Sequence, residues 1–248
     1  MMQKKYWTTL TTNSLFANPH YPWYYKLMWW TAVLLVAPVL TGVRAETVEH
    51  SLHFVASSKE FVELKSTDTL AIDLRYASNN NFVGENLYGI FNKAYLHRVA
   101  AEKLARAEKQ LQINNPKFRL VIFDALRPRS VQYALWDKVK GTAQEKYVAK
   151  PSSGSIHNFG FALDLSIIDE SDHELDMGTP FDAFVELAQP RLEEKFLREG
   201  QLTELQLRNR HLLKKVMEDV GFTQLPIEWW HFDALPKSRV KGEFKIIE

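Results

Sequence analysis

Phe161-Ala162-Leu163-Asp164-Leu165-Ser166-Ile167 alternates large apolar residues with Ala162, Asp164 and Ser166, the period-two pattern of a β-strand with one apolar face. Helical patterns lie on both sides of it. Towards the N-terminus, Ala100, Leu104, Ala107 and Leu111 recur at helical spacing until Asn114-Asn115-Pro116 ends the run. Phe118 to Phe123 is a short run rich in β-formers. It leads into Asp124-Ala125-Leu126-Arg127-Pro128, after which Val131, Leu135 and Val139 mark the buried stripe of a second helix. Towards the C-terminus, Thr203 and Gln206 make a capping box for a helix running to about Val220. Gly221 sits where a left-handed cap belongs, with Phe222 behind it. Ile227 to Asp233 reads as a final strand. Helices and strands interleave, and the connections between them are short and marked by Gly and Asn. The pattern predicts a single α+β domain over residues 46–248, with a mainly antiparallel central sheet and packed helices.

Composition narrows the chemistry. The 248 residues are 46% hydrophobic and 25% charged, with ten Gly and ten Pro, which excludes a disordered, collagen-like or multi-span membrane chain. A formal net charge of +1 gives no electrostatic reason to expect a nucleic-acid partner. Cys is absent, so disulfides, a thiol nucleophile, thiolate zinc ligands and a lipidated N-terminal Cys all drop out. Any metal site must be built from carboxylates and the eight His.

The charge is unevenly spread. Residues 1–45 hold Lys4, Lys5, Lys26 and Arg44 and no acid, leaving 27 basic against 30 acidic residues in the remainder. Lys26 precedes an apolar run from Leu27 to Leu40, interrupted by Thr31 and Pro38, and Val43-Arg44-Ala45 supplies a small-residue ending. Basic flank, apolar stretch and cleavage site predict a signal peptide cut after Ala45. If uncut, the 17 residues from Leu27 to Val43 are close to the minimum for an N-terminal anchor. Export without disulfides fits a bacterial periplasm, and membrane contact is expected only through this segment.

The chemistry-bearing stretch is Ser155-Ile156-His157-Asn158-Phe159-Gly160-Phe161-Ala162-Leu163-Asp164. Fully extended, the steps from His157 to Asp164 cover roughly 23 Å, whereas two ligands of one zinc each lie ~2.0–2.2 Å from it. Sharing a metal therefore requires the chain to fold back, and Asn158 and Gly160 are suitable turn residues. Asp164 points away from the apolar face of its strand. Taken alone, the pair is also what a surface His and a solvated Asp would give. The second stretch is Glu228-Trp229-Trp230-His231-Phe232. A Glu and a His three apart share one side of a turn but face opposite ways in a flat strand. The Trp pair would supply dry walls that strengthen electrostatics, yet an aromatic edge strand fits the spacing as well.

Together, S-x-H-x-x-G-x-A-x-D and the E-W-W-H that begins 64 residues after Asp164 resemble the zinc D-alanyl-D-alanine dipeptidases of the vancomycin-resistance type. The resemblance spans roughly residues 70 to 233 and includes further blocks in order. These are Asp73-Leu74-Arg75-Tyr76-Ala77, Asn81-Phe82-Val83-Gly84, Asp124-Ala125-Leu126-Arg127-Pro128, Met177-Gly178-Thr179-Pro180-Phe181-Asp182 and Asn209-Arg210-His211-Leu212-Leu213. The family's D-G-Y-R-P block has Ala125 and Leu126 here in place of Gly and Tyr, and keeps Arg127.

The resemblance implies one Zn²⁺ per chain at the sheet, held by His157, Asp164 and His231 with a fourth position open to water. It implies Glu228 as general base and Arg127 as the donor that stabilises the oxyanion. Tyr76, Ser155 and Asp182 would bind a small D,D-dipeptide, with Asp182 the counter-charge for its ammonium. The implied function is hydrolysis of D-Ala-D-Ala in peptidoglycan metabolism. Two other readings use the same residues. A D,D- or L,D-carboxypeptidase acting on peptidoglycan stem peptides would differ in whether Asp182 and Tyr76 close the pocket at the substrate's amino end. A non-catalytic, zinc-bearing binding module would have no use for Glu228 and Arg127. Asp182 could instead cap a following helix, and the other His residues read as surface, helical or export-segment positions.

Overall fold

The alternating stretch forms β5 (Ala162–Ile168), the middle strand of the larger sheet. The computed structural model describes residues 48–89 and 93–248, and the expected export segment, residues 1–45, lies outside them. In chain order, residues 48–57 are helical (α1) and β1 (Phe61–Leu64), β2 (Leu70–Ile72) and β3 (Ala94–His97) follow. Next come α2 (Arg98–Asn114), β4 (Arg119–Asp124), α3 (Arg129–Val139) and β5. The chain ends with α4 (Glu193–Arg198), α5 (Glu204–Glu218), β6 (Thr223–Gln224), β7 (His231–Asp233) and α6 (Lys237–Glu243). This is the α+β architecture that the sequence predicts.

The five-stranded sheet runs β2-β4-β5-β7-β6, antiparallel throughout except for β2 beside β4. That pair is parallel because the chain between them passes through β3 and α2, a connection long enough to cross over. Strands β1 and β3 form a separate antiparallel pair. Helix α2 buries Ala100, Leu104, Ala107 and Leu111, and α3 buries Val131, Leu135 and Val139. Each Leu or Val among them contributes about 1.5–3 kcal/mol when fully buried. Helix α5 opens on the Thr203–Gln206 capping box, whose two bonds are 3.2 and 2.9 Å long. It closes at Gly221 in the left-handed region (φ 89°), with the Phe222 N–H reaching back to the Met217 carbonyl at 3.1 Å.

Two expectations need correction. Strand β5 does not have one wet face, for all seven of its residues are buried and Asp164 is only 3% exposed. A middle strand covered on both sides can carry a carboxylate only where partners meet it. Also, only the last three residues of Ile227–Asp233 are strand. Strands β6 and β7 pair as a hairpin, Gln224 opposite Phe232, so the intervening residues must reverse the chain.

Candidate active site

Local chain geometry brings His157 back to Asp164. Residues Ile156–Phe159 form one 3-10 turn, capped by Ser155, whose side chain accepts from the His157 N–H while Asn158 Oδ1 accepts from the Ser155 N–H at 2.7 Å. Gly160 ends the turn at φ 73°. A Cβ there would lie 2.9 Å from the backbone nitrogen of His97, so both conformation and space demand glycine. His231 reaches Asp164 by register instead: the two residues face each other across β5 and β7. Strand β4 adds Asp124 opposite Asp164, after a register shift between Ile122 and Asp124, a bulge of the kind that re-aims side chains beside functional sites.

His157 Nε2, His231 Nδ1 and Asp164 Oδ1 form a triangle with sides of 3.1, 3.3 and 3.0 Å. Ligands ~2.0–2.1 Å from a tetrahedral zinc stand about 3.3 Å apart, so the triangle has the right size. The protons also fit. His157 Nδ1 lies 2.6 Å from the Ala125 carbonyl oxygen, which can only accept, so this nitrogen carries the hydrogen and Nε2 offers its lone pair. His231 Nε2 donates to Asp233 Oδ1 at 3.0 Å, which turns Nδ1 towards Asp164. Burial opposes a charge on His231, but its hydrogen bonds to Asp164 and Asp233 hold its pKa well above the ordinary imidazole value. A proton on Nδ1, or a metal ion in its stead, can balance this corner. Among the described residues this is the His and carboxylate cluster that could hold a metal ion.

The triangle opens on a cavity of about 270 Å³ lined also by Tyr76, Arg127, Ser155, Asp182, Glu228 and Trp230. All eight residues nominated from the sequence thus meet in one place. The Glu228 N–H and carbonyl bracket a turn, bonded to the Leu225 carbonyl at 3.4 Å and the His231 N–H at 3.5 Å, so Glu228 and His231 share a side as the turn reading required. Desolvation pushes the Glu228 carboxyl up to about 8, with His231 drawing it back and Asp164 adding to the rise. Arg127 is buried and held on two sides. Its Nε and Nη2 donate to Asp124 Oδ2 at 2.8 and 2.6 Å, and its Nη1 donates to Gln132 Oε1 at 2.9 Å. Burial works against its charge and the Asp124 carboxylate outweighs that cost. The Tyr76 hydroxyl donates to both oxygens of Asp182, at 3.1 and 3.0 Å. Burial, with Asp164 nearby, raises the Asp182 carboxyl well above its usual range. Asp182 caps no helix. It sits at φ 60°, a conformation costing about 1–2 kcal/mol for a residue with a Cβ, and such strain gathers at functional sites.

The family model described as D-ala-D-ala dipeptidase matches residues 57–245. The chain belongs to this peptidase family. The D-alanyl-D-alanine dipeptidase of Escherichia coli K12 is 34% identical over 169 residues, covering 68% of this chain and 80% of its own. The D-alanyl-D-alanine dipeptidase of Enterococcus faecalis V583 is 27% identical over 179 residues, 66% of this chain and 85% of its own. That of Synechocystis is 27% identical over 161 residues, 53% and 65% of the two chains.

In this peptidase several residues without a motif of their own support the eight that line the cavity. Asp124 is fully buried, anchors Arg127 and accepts from the Tyr88 hydroxyl at 2.6 Å. Asp233 fixes the ring of His231, and Gln132 touches Arg127 from α3. Asp124 opens the Asp124–Pro128 stretch that carries Arg127, and Asp233 alternates with His231 along a strand. Gln132 carried no signal beyond being polar beside the apolar stripe of its helix.

Proposed function

We propose that this peptidase is a zinc-dependent D-alanyl-D-alanine dipeptidase acting on the free D,D-dipeptide, a fragment of peptidoglycan stem chemistry. What carries the reading is one small cavity in which the ligand triangle, the buried Glu228 carboxyl, the fixed Arg127 guanidinium and the bonded Tyr76–Asp182 pair meet. Zinc held by His157, Asp164 and His231 would supply Lewis acidity, polarising the scissile carbonyl and acidifying water. Glu228 takes the proton of the attacking water and returns it to the leaving amine. Its raised pKa keeps it largely protonated near neutral pH until positive charge stands beside it, which ties its availability as a base to an occupied metal site. Arg127 has five N–H groups, three of them already bonded, and gives the others to the carbonyl oxygen as it becomes an oxyanion. Asp182, oriented by Tyr76, holds the substrate ammonium, and Ser155 contributes its hydroxyl at the cavity wall.

A cavity of about 270 Å³ lies just below the usual ~300–1,000 Å³ of ligand pockets, and the bonded Tyr76–Asp182 pair lines its wall, where it would meet the substrate's amino end. Both features support a dipeptide over a stem peptide. The test is the full chain loaded with zinc, given D-Ala-D-Ala or a stem pentapeptide ending in D-Ala-D-Ala, with released D-Ala measured. Faster release from the dipeptide is expected. Preference for the pentapeptide would move the assignment to a carboxypeptidase, and no release from either would leave a binding module. Asp182→Ala should raise KM for the dipeptide and affect an N-acetylated one much less.

A further inference from the structure

We propose that Gln132 is a positioning residue for catalysis, setting the guanidinium of Arg127 for oxyanion stabilisation. The inference rests on the dipeptidase reading above. Gln132 lies on α3, is completely buried and is the one polar residue among the buried positions of that helix. A buried amide costs roughly 1–3 kcal/mol unless its donor and acceptor are both satisfied, so its presence calls for a reason. Its Oε1 accepts from Arg127 Nη1 at 2.9 Å and its Nε2 donates to the Ala149 carbonyl at 2.8 Å. Arginine offers only donors and a carbonyl only accepts, so the amide can face one way alone.

The neutral charge of this partner matters as much as its place. Asp124 already takes the Nε and Nη2 edge of Arg127, and Asp164 Oδ2 lies 3.5 Å from Nη2. Another carboxylate at position 132 would further offset the charge that an oxyanion needs. An amide instead fixes Nη1 and leaves the guanidinium its field. Asp124 holds one edge of the fork, Gln132 stops rotation about that edge, and the Tyr76 ring covers a face with its centroid 4.9 Å from the guanidinium carbon. Because Ala149 precedes Ser155 and His157 along the cavity wall, Gln132 also ties the oxyanion donor to the segment that carries a metal ligand.

Preorganised donors act on the transition state more than on bound substrate, which yields a signature that mere packing lacks. Gln132→Met keeps length and bulk and removes the acceptor. In the zinc-loaded full chain, with D-Ala-D-Ala, it should lower kcat about 10–100-fold while KM stays within about threefold. Thermal midpoint and zinc content are recorded for each variant. The deciding comparison is the double-mutant cycle: added to Arg127→Ala, Gln132→Met should change the residual rate less than about twofold. An equal loss in both backgrounds, a loss confined to KM, or unchanged kcat in the single variant would overturn the proposal. If Gln132→Met does not fold, Gln132→Asn, which draws the amide back by one methylene, is measured in the same cycle and judged by the same outcomes. Wild-type protein that binds zinc and leaves D-Ala-D-Ala intact would sink the dipeptidase reading itself and this role with it, a result distinct from an active enzyme indifferent to Gln132.

Discussion

At the scale of single residues, the site is a problem of unbalanced charge. Glu228, Asp182 and Asp164 share a small buried space, and two of the three are pushed towards their protonated forms. Asp164 stays ionised because His157 and His231 oppose the cost of its burial. Metal binding should therefore be a competition with a proton. His231 holds one when its pKa is raised, and coordination through Nδ1 must release it. The sign follows directly: zinc affinity rises with pH, by about tenfold per pH unit for each proton released, and continues to rise above the ordinary imidazole range. Zinc titrations of the full chain at several pH values check this, and a flat profile would mean that His231 is not displaced from a protonated state. Glu228→Gln separates chemistry from binding. It keeps the size of the side chain and removes the base, so kcat should drop by about 10²–10⁴-fold with zinc content unchanged. Near-normal turnover with zinc bound would remove Glu228 from the mechanism.

At the scale of elements, the turn over Ile156–Phe159 is the piece on which the metal triangle depends. Gly160→Ala forces a Cβ into the left-handed region, costing about 1–2 kcal/mol, and sets it against the His97 backbone nitrogen at 2.9 Å. The variant should be destabilised by at least that amount and bind zinc more weakly, measured by denaturant midpoint and metal titration. Wild-type values for both would show that the turn adapts freely. This turn was legible in the sequence because a seven-step separation had to be closed and Asn158 and Gly160 could close it. Helices α2, α3 and α5 were legible from periodicity and capping residues, which act within one segment. The reversal at Leu225–His231 was not. Its Trp-rich sequence has the composition of a strand, and the deciding contacts are remote: the Trp229 N–H bonds the Ala188 carbonyl at 3.2 Å and its indole N–H bonds Thr179 at 2.9 Å. Asp124, Gln132 and Asp233 lie within five residues of the side chains they hold, and what the sequence does not reveal is that each is turned towards that neighbour, with Asp124 and Gln132 fully buried. The parallel pairing of β2 with β4 likewise depends on where α2 packs, not on either strand's own residues.

At the scale of the whole molecule, supports from distant segments converge on the cavity. Arg210 on α5 donates to the carbonyls of Met177 at 2.7 Å and Leu187 at 3.0 Å, so a buried guanidinium spans the loop that presents Asp182. Among the described residues no helix is long and apolar enough to cross a membrane. Membrane passage would rest on residues 27–43, behind a basic flank and ahead of Val43-Arg44-Ala45. We propose that this segment exports the enzyme, and the charge division supports the direction. The first 45 residues are basic without any acid, and the rest carries 27 basic against 30 acidic residues. A basic leader is retained on the inner side while an apolar stretch is handed across, and a small-residue site then frees the folded domain. Export would also decide which pool of substrate the enzyme meets. Residues 1–60 fused to a reporter that works only in the periplasm should yield activity. Full-length protein made in the same cells should lose its leader and begin at Glu46. A product that keeps the leader yet remains with the membrane would convert the signal into an anchor and leave the outward orientation intact. Full-length soluble protein recovered from the cytoplasm would refute export and direct the enzyme to a cytoplasmic substrate.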